Sequence, residues 1–413
     1  MASASVDHMI SVTVFLAAIL LFSNIFSQTI QTAVIYQQHR STATKCSDIL
    51  DSLLLNPGTP PYWALRNLNP STFGLQDPEF TQYQLSPFAL MRLMPTTDNP
   101  VYYPQLNTTY SNITLGFGQS LFVPYNKLVN YSTASKLLGL NNTYGFSLTL
   151  TPLVSVNIAE VEPEKPGQLK LRIHVTGSGF PLAGAAVNYC FFMINGRGRG
   201  SYPTYSIKYN ITFADAAGIA YLVFDDFDRS ASFLFMAYAH LGGLTGIGYY
   251  NNVTYRESFV VPFVSNFETG EVILAHSWDV HAGDNPAEIA FNATFVLLSE
   301  DYAFREMPLN NVTGRVVGKL NYGQDPKHAY ANLTISTKSS GVLIVTYSKS
   351  QRENGAVIMP WGISSLAFPV TFGGDSTNQE WVATDIRQVT VNGIAYQAKF
   401  SLWSLEGSQV IGL

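Results

Sequence analysis

From Ile10 to Phe26 the chain reads ISVTVFLAAILLFSNIF without a single charge, and SQTIQTAVIY carries the uncharged run on to Tyr36. A run of that length sits at the lower edge of what crosses a ~30 Å hydrocarbon core as a helix. Ile30, Ala33 and Val34 repeat at i, i+3, i+4 among Gln and Thr, so the extension stays helical. Helix signals continue through Gln37, Gln38, His39 and Arg40 to Lys45, which makes residues 1–45 one helix, apolar first and amphipathic second. About 35 helical residues would reach about 50 Å, well beyond the hydrocarbon. A cleaved signal peptide is the competing reading. No Lys or Arg precedes Arg40, so the basic n-region is missing, and no small-x-small site closes the run. A retained single span is therefore expected, with the bulk of the chain extracytoplasmic at the cell membrane. Arg40 and Lys45 then lie outside, against the positive-inside rule, which weighs little where a large domain follows.

The rest of the 413 residues must supply a core, and 46% hydrophobic with 13% aromatic residues excludes disorder for most of it. Charged residues make up only 12%, about half the usual share. The net charge of −5 is spread thinly, without the basic block a nucleic-acid partner would need. The surface is polar through Asn, Ser, Thr and Tyr, which again points outside the cell. Nine Asn-x-Ser/Thr sequons fit that location: Asn107, Asn112, Asn130, Asn141, Asn210, Asn252, Asn292, Asn311 and Asn332. Cys46 and Cys190 could pair there as a disulfide or stay free and buried, and two cysteines make no disulfide framework.

Residues 46–158 read as a small membrane-proximal α+β domain. Ser47 to Leu54 is a short helix stopped by Asn56-Pro57-Gly58. Turn-rich sequence follows through Pro60-Pro61, Asn69-Pro70 and Phe73-Gly74, then a helix over Tyr125–Leu140 with Gly139 near its end. Phe146, Leu148 and Leu150 alternate with Ser147 and Thr149 as a half-buried strand.

Residues 159–260 and 261–413 are β-rich, with strands recurring at the short, regular spacing of all-β domains, and read as at least two β-sandwich units. Leu169–Val175 alternates cleanly, Ile219–Phe224 and Glu271–His276 follow turns, and Asn392-Gly393 is a type I′ hairpin signal. The uncharged stretch Ser232–Tyr250 is long enough for a second span, yet Gly242-Gly243, Gly246 and Gly248 fit two strands around a turn. The fold class expected is mostly β, behind one long N-terminal transmembrane helix.

Two resemblances emerge. LLLNPGTPPYW, STFGLQ and LLGL followed by YGFSLTL, with an acid ahead of a long apolar helix in ASVDHMISVTVFLAAILLF, resemble archaeal type IV pilin-like (pseudopilin-like) surface proteins over about the first 160 residues. Gly179-Phe180-Pro181-Leu182-Ala183-Gly184-Ala185 with Asp215-Ala216-Ala217-Gly218 is similar to immunoglobulin-like and carboxypeptidase-regulatory-like sandwiches. The first resemblance implies a role for Asp7. A cut after Ala2 would make Asp7 the fifth residue, and its carboxylate would pair with the free α-amine of a neighbouring subunit. At ~4 Å that attraction is worth about 1 kcal/mol in water and about 4 kcal/mol at an effective dielectric near 20.

Chemical motifs are thin. His276, Asp279, His281 and Asp284 gather carboxylates and imidazoles, but only Asp279 and His281 share a strand face, short of a zinc ligand set. Asp225-Asp226-Phe227-Asp228 lacks the calcium-loop pattern and reads as a solvated turn. Gly196-Arg197-Gly198-Arg199-Gly200 sits between strands as a long hairpin loop. No nucleophile elbow exists and no cofactor is implied. The expectation is a non-enzymatic, membrane-anchored structural or adhesive protein, pilin-like in assembly. The alternative is an anchored sandwich that binds a glycan or protein ligand at the surface.

Overall fold

The computed structural model describes residues 2–80, 83–96, 100–103, 106–114, 120–140, 143–195, 202–228, 231–252, 260–280, 288–299, 301–316, 330–335, 340–349, 354–362 and 368–405. The architecture is mostly β, with one long helix at the N-terminus.

That helix, α1, runs Ala2–Leu55, 54 residues or about 80 Å. It absorbs the short helix expected at Ser47–Leu54, because nothing between Lys45 and Ser47 breaks the backbone ladder. Several of its hydroxyls bond within the helix: Thr13, Thr29 and Thr32 each donate back to the carbonyl four residues earlier at 2.8 Å. It stops where the sequence places the stop, at Asn56-Pro57-Gly58, with Gly58 at φ +80°.

Among the described residues, five sheets follow. Sheet A orders Val370–Gly373, Tyr144–Pro152, Ile394–Ser404 and Ala383–Val391, all antiparallel. Sheet B orders Ile219–Phe224, Leu169–Gly177 and Val154–Val161, and Phe180–Pro181 pairs with its middle strand. Sheet C orders Leu244–Asn251, Phe233–Leu241, Ala186–Asn195 and Thr204–Phe213. Sheet D orders Val101–Tyr103, Thr108–Thr114, Ser120–Pro124, Val260–Asn266, Glu271–His276 and Tyr330–Thr334. Sheet E orders Phe304–Met307, Ile289–Leu298, Gly341–Ser348 and Asn354–Trp361, with Thr313–Val316 also on Ile289–Leu298.

Sheets B and C form the sandwich expected near 159–260. Val154, Val156, Leu171, Ile173 and Val175 of sheet B meet Val187, Phe191, Phe233, Phe235 and Ala237 of sheet C in one core. Its first strand begins at Val154, so a boundary at 159 cuts through it. Ser232–Tyr250 folds as a hairpin around Gly242 and Gly243, both at positive φ, and is not a membrane-crossing helix. Gly246 and Gly248 serve a different end. A Cβ on Gly246 would lie 2.7 Å from Val154 Cβ, and one on Gly248 2.1 Å from the Val156 carbonyl oxygen. They let the edge of sheet C close onto sheet B.

The other units are interleaved, which corrects the sequential division at 46–158 and 261–413. Tyr144–Pro152 sits between C-terminal strands in sheet A, and Ser120–Pro124 pairs in parallel with Val260–Asn266 in sheet D. The alternation along each strand is legible locally, whereas its distant partner in the sequence is not.

The helix expected over Tyr125–Leu140 is also shorter. A 3-10 turn covers Tyr125–Lys127, and after α2 (Pro87–Met91) the next α-helix, α3, covers Tyr131–Leu137. Asn130 Oδ1 accepts from Thr133 N at 2.7 Å and starts α3, while Gly139 at φ +67° ends it.

Candidate functional site

The feature with the clearest physical purpose is α1 itself, because its two halves meet different surroundings. From Val6 to Gln38 every residue is exposed, including Phe15, Leu20, Phe22, Ile25 and Phe26. Among the described residues this is the one helix long and apolar enough to cross a membrane. Beyond it, Thr42, Cys46, Ile49, Leu50, Leu53 and Leu54 are buried. Their spacing of three and four puts them on one face, which packs on strands Ala383–Val391 and Ile394–Ser404 of sheet A.

Polar contacts flank that stripe. His39 stacks on Trp381 with ring centroids 4.1 Å apart and planes 4° from parallel. Lys45 Nζ lies 4.1 Å from the Tyr144 ring centroid. Arg387 joins Asp51 and Ser47 of α1 to Asp385 of the strand. Cation, ring and apolar stripe together fix the helix against the body at its lower end.

The C-terminus of α1 is closed by LLLNPGTPPYW and STFGLQ, two of the phrases behind the pilin-like resemblance. Leu75 N donates to the Leu53 carbonyl at 2.8 Å and Gln76 N to that of Asn56 at 3.1 Å, satisfying carbonyls at the helix end. Gly74 is required there, since a Cβ would lie 2.0 Å from the Asn56 oxygen. Trp63 Nε1 donates to the Pro57 and Gly74 carbonyls at 3.1 and 3.3 Å. Buried Arg92 holds the knot from behind, with Nη1 donating to the Trp63 and Leu68 carbonyls at 2.9 and 2.8 Å. Burial draws its guanidinium down to about 10, so it remains charged at neutral pH. A cleft of about 140 Å³ opens beside the knot, lined among others by Tyr62, Trp63, Asp77, Glu79 and Phe80.

The residues singled out from sequence are scattered. Asp7 is exposed near the start of α1. Cys46 and Cys190 are both buried and both free, which corrects the pairing considered for them. Cys46 faces the Ala383 and Phe400 carbonyls of sheet A, whereas Cys190 lies in sheet C between Met236 and Tyr209. His276 is buried at a strand end, and no cluster of metal-ligating side chains occurs among the described residues. Asp225 accepts from Gln168 Nε2 at 2.7 Å, and Asp226 takes φ +53°, as befits a turn. Asn141, the segment Gly196–Gly200, His281 and Asp284 lie outside the described residues, as does the Asp279 side chain.

The sequons divide by what their amides do. Asn107, Asn130, Asn210, Asn311 and Asn332 are exposed. In the first three Oδ1 accepts, from the Tyr102 hydroxyl, Thr133 N and Ile211 N. Asn112 Oδ1 accepts from Leu121 N across a hairpin. Asn252 and Asn292 are half-buried with Nδ2 donating, to the Ala231 carbonyl at 3.1 Å and the Pro203 carbonyl at 3.2 Å. Asn311 Nδ2 donates to the Asn332 carbonyl at 3.3 Å.

Sequence reading missed Arg92, Arg387 and the His39–Trp381 stack. Each is a single residue whose partners lie far off in the sequence, so no local spacing marks it.

No family model matches the chain, and no curated protein matches it. Among solved structures it is similar to trypsin-activated alpha-2-macroglobulin from Escherichia coli, at 9% identity and a TM-score of 0.20 over 68% of this chain and 20% of that one. Red sea bream transglutaminase is similar at 9% identity and a TM-score of 0.18 over 62% of this chain and 37% of that one. The chain spans about a fifth of the first protein and over a third of the second, and neither likeness assigns it a family or an activity.

Proposed function

We propose that this chain is an extracytoplasmic structural or adhesive surface protein held to the cell membrane by α1. The observation that supports this is the change of surroundings along one unbroken helix. Up to Gln38 it buries nothing among the described side chains, and from His39 onward one face packs on sheet A. About 33 exposed helical residues from Val6 to Gln38 span about 50 Å, enough to cross the hydrocarbon and carry the body clear of it. The Asn and Thr residues in this stretch keep their polar groups within the helix, as in Gln28 Nε2 to Asn24 Oδ1 at 3.4 Å.

Within that reading, assembly is pilin-like, and Asp7 sets register by pairing with the α-amine of a neighbouring subunit. The test is membrane fractionation of the full chain with protease added from either side. Resistance to carbonate extraction, with the body cleaved only from outside, supports the anchor. A chain released by carbonate, or a body protected from outside, overturns it. Asp7→Ala separates the finer reading: it should insert normally and lose self-assembly, and unchanged assembly removes the pilin-like mechanism alone.

A further inference from the structure

Among the described residues, sheet C ends in the edge strand Thr204–Phe213. Thr204–Phe213 pairs with Ala186–Asn195 on one side, and among the described residues no strand lies along its other edge from Ile207 to Phe213. Its second half is largely exposed: Lys208, Tyr209, Asn210, Ile211 and Phe213 are exposed and Thr212 is half-buried, while the Tyr209 hydroxyl reaches Glu306. Tyr209, Ile211 and Phe213 share one face at 41%, 46% and 64% exposure and make an apolar stripe along the open edge. An exposed, apolar edge strand is a template for pairing with another chain, and proteins ordinarily blunt such edges with charge, proline or a cover. Lys208 is the one charge in this strand, and Pro203 precedes it.

The same exposed half carries Asn210, first residue of the sequon Asn210-Ile211-Thr212. Its Oδ1 accepts from Ile211 N at 2.8 Å, and the hydroxyl of its cross-strand partner Tyr189 is within hydrogen-bond reach of the same side chain. The side chain is nonetheless exposed at the rim, in contrast to the half-buried Asn252 and Asn292, whose amide nitrogens hold backbone carbonyls.

We propose that Asn210 carries an N-linked glycan whose function is to cover the open edge of sheet C and keep Tyr209, Ile211 and Phe213 from pairing with other chains. Asn210 Nδ2 attacks the anomeric carbon of a lipid phosphate- or pyrophosphate-linked oligosaccharide. The C–N bond forms as the C–O bond breaks, the phosphate leaves with the bonding pair, and one amide proton passes to a base of the transferase. Asn210 lies opposite Tyr189 on the face away from the stripe, and a hydrated oligosaccharide there blocks another chain's approach to the free edge of a strand whose own side chains supply a single charge. The proposal rests on the extracytoplasmic placement of the body, where such transferases act.

The test uses the full chain purified in detergent from membranes of a host that makes N-linked glycans. Glycopeptide mass spectrometry should find sugar at Asn210, lost in Asn210→Gln and Thr212→Val and kept in Thr212→Ser. Size-exclusion chromatography should show the two bare variants shifted several-fold toward large assemblies, and adding Ile211→Lys should restore the wild-type profile. Asn210 bare while Asn107 or Asn332 is occupied overturns the proposal and leaves the extracytoplasmic reading intact. So does occupancy at Asn210 with no change in association in either bare variant. All sequons bare, with the body protected from external protease, overturns both.

Discussion

Arg387, on the outermost strand of sheet A, closes on Asp51 near the end of α1, with Nε 3.1 Å from Oδ1 across 336 residues of sequence. The same guanidinium reaches Ser47 Oγ at 3.1 Å and Asp385 Oδ1 at 2.6 Å. One planar fork thus ties helix to strand, a geometry that the single ammonium of lysine does not reproduce. Both partners of the ion pair are about a third exposed, which screens it. Arg387→Ala and Arg387→Lys should therefore each cost about 1 kcal/mol. Denaturant unfolding with a double-mutant cycle against Asp51→Asn checks this, and zero coupling energy would show the pair to be decorative.

The same network makes the docking acid-sensitive. Burial raises Asp385, but hydrogen bonds from Ser47, Arg387 and Ile386 N outweigh it and hold the carboxyl below the usual range. A folded pKa below the unfolded value near 3.9 means the contribution is complete above that value and is lost as pH falls through the folded one. Thermal unfolding from pH 6 to pH 2 should show a loss below about pH 4 that is shallower in Asp385→Asn. Identical pH slopes in the two proteins would remove Asp385 from the account.

How far the sequence carries is clearest in sheet A. The strand Tyr144–Pro152 is legible from Phe146, Leu148 and Leu150, and the hairpin Asn392-Gly393 from its turn chemistry, with both residues at positive φ as a type I′ turn needs. That these two elements lie side by side is not legible. Leu150 pairs with Ala398 across more than half the chain, and alternation says which face is buried without saying against what. The anchor is the opposite case: the apolar run needs no partner within the chain, so composition alone marks it. Asn56-Pro57-Gly58 and Phe73-Gly74 read separately as turns, and only folding shows that they close one helix end together.

Arg92 is the most exacting single position in that helix-end knot. Its Nε donates to the Lys127 carbonyl and its Nη1 to those of Trp63 and Leu68, while the guanidinium lies 4.7 Å from the Trp63 ring centroid. Arg92→Met keeps much of the apolar stem and leaves those carbonyls without a donor, at a cost of about 3 kcal/mol. Arg92→Lys should recover only part, having one nitrogen to share. Chemical denaturation measures both, and a methionine variant within about 0.5 kcal/mol of wild type would contradict the role.

The two cysteines should behave as inert thiols. Burial, with a smaller push from the Asp385 charge, raises Cys46 to about 11, and burial raises Cys190 as well. Thiolate is the reactive form, so native protein at pH 8 should resist iodoacetamide. After denaturation without reductant both thiols should react. Fewer than two reactive thiols would mean that a bond or modification holds one of them.

Where α1 can be cut follows from which of its residues touch sheet A. Residues from Val6 to Gln38 are exposed, so a fragment starting at Gln37 discards the apolar run and keeps the His39–Trp381 stack and buried Thr42. Such a fragment should be soluble without detergent and unfold cooperatively. A fragment starting at Cys46 keeps the lower stripe of Ile49, Leu50, Leu53 and Leu54 but loses the stack, Thr42 and the cation over Tyr144. It also frays what remains, because its first four amides have no helical carbonyl to meet. Aromatic stacking of this kind contributes about 0.5–1.5 kcal/mol and the half-buried Lys45–Tyr144 cation–π contact at least about 0.5–1 kcal/mol. The shorter fragment should therefore be less stable by about 1–2 kcal/mol in urea unfolding, and Trp381→Ala in the longer one should reproduce roughly half of that difference. Equal stability of the two fragments would show that α1 is held only by its stretch beyond Cys46, and aggregation of the longer one would show that the apolar run is not the sole reason the chain needs a membrane.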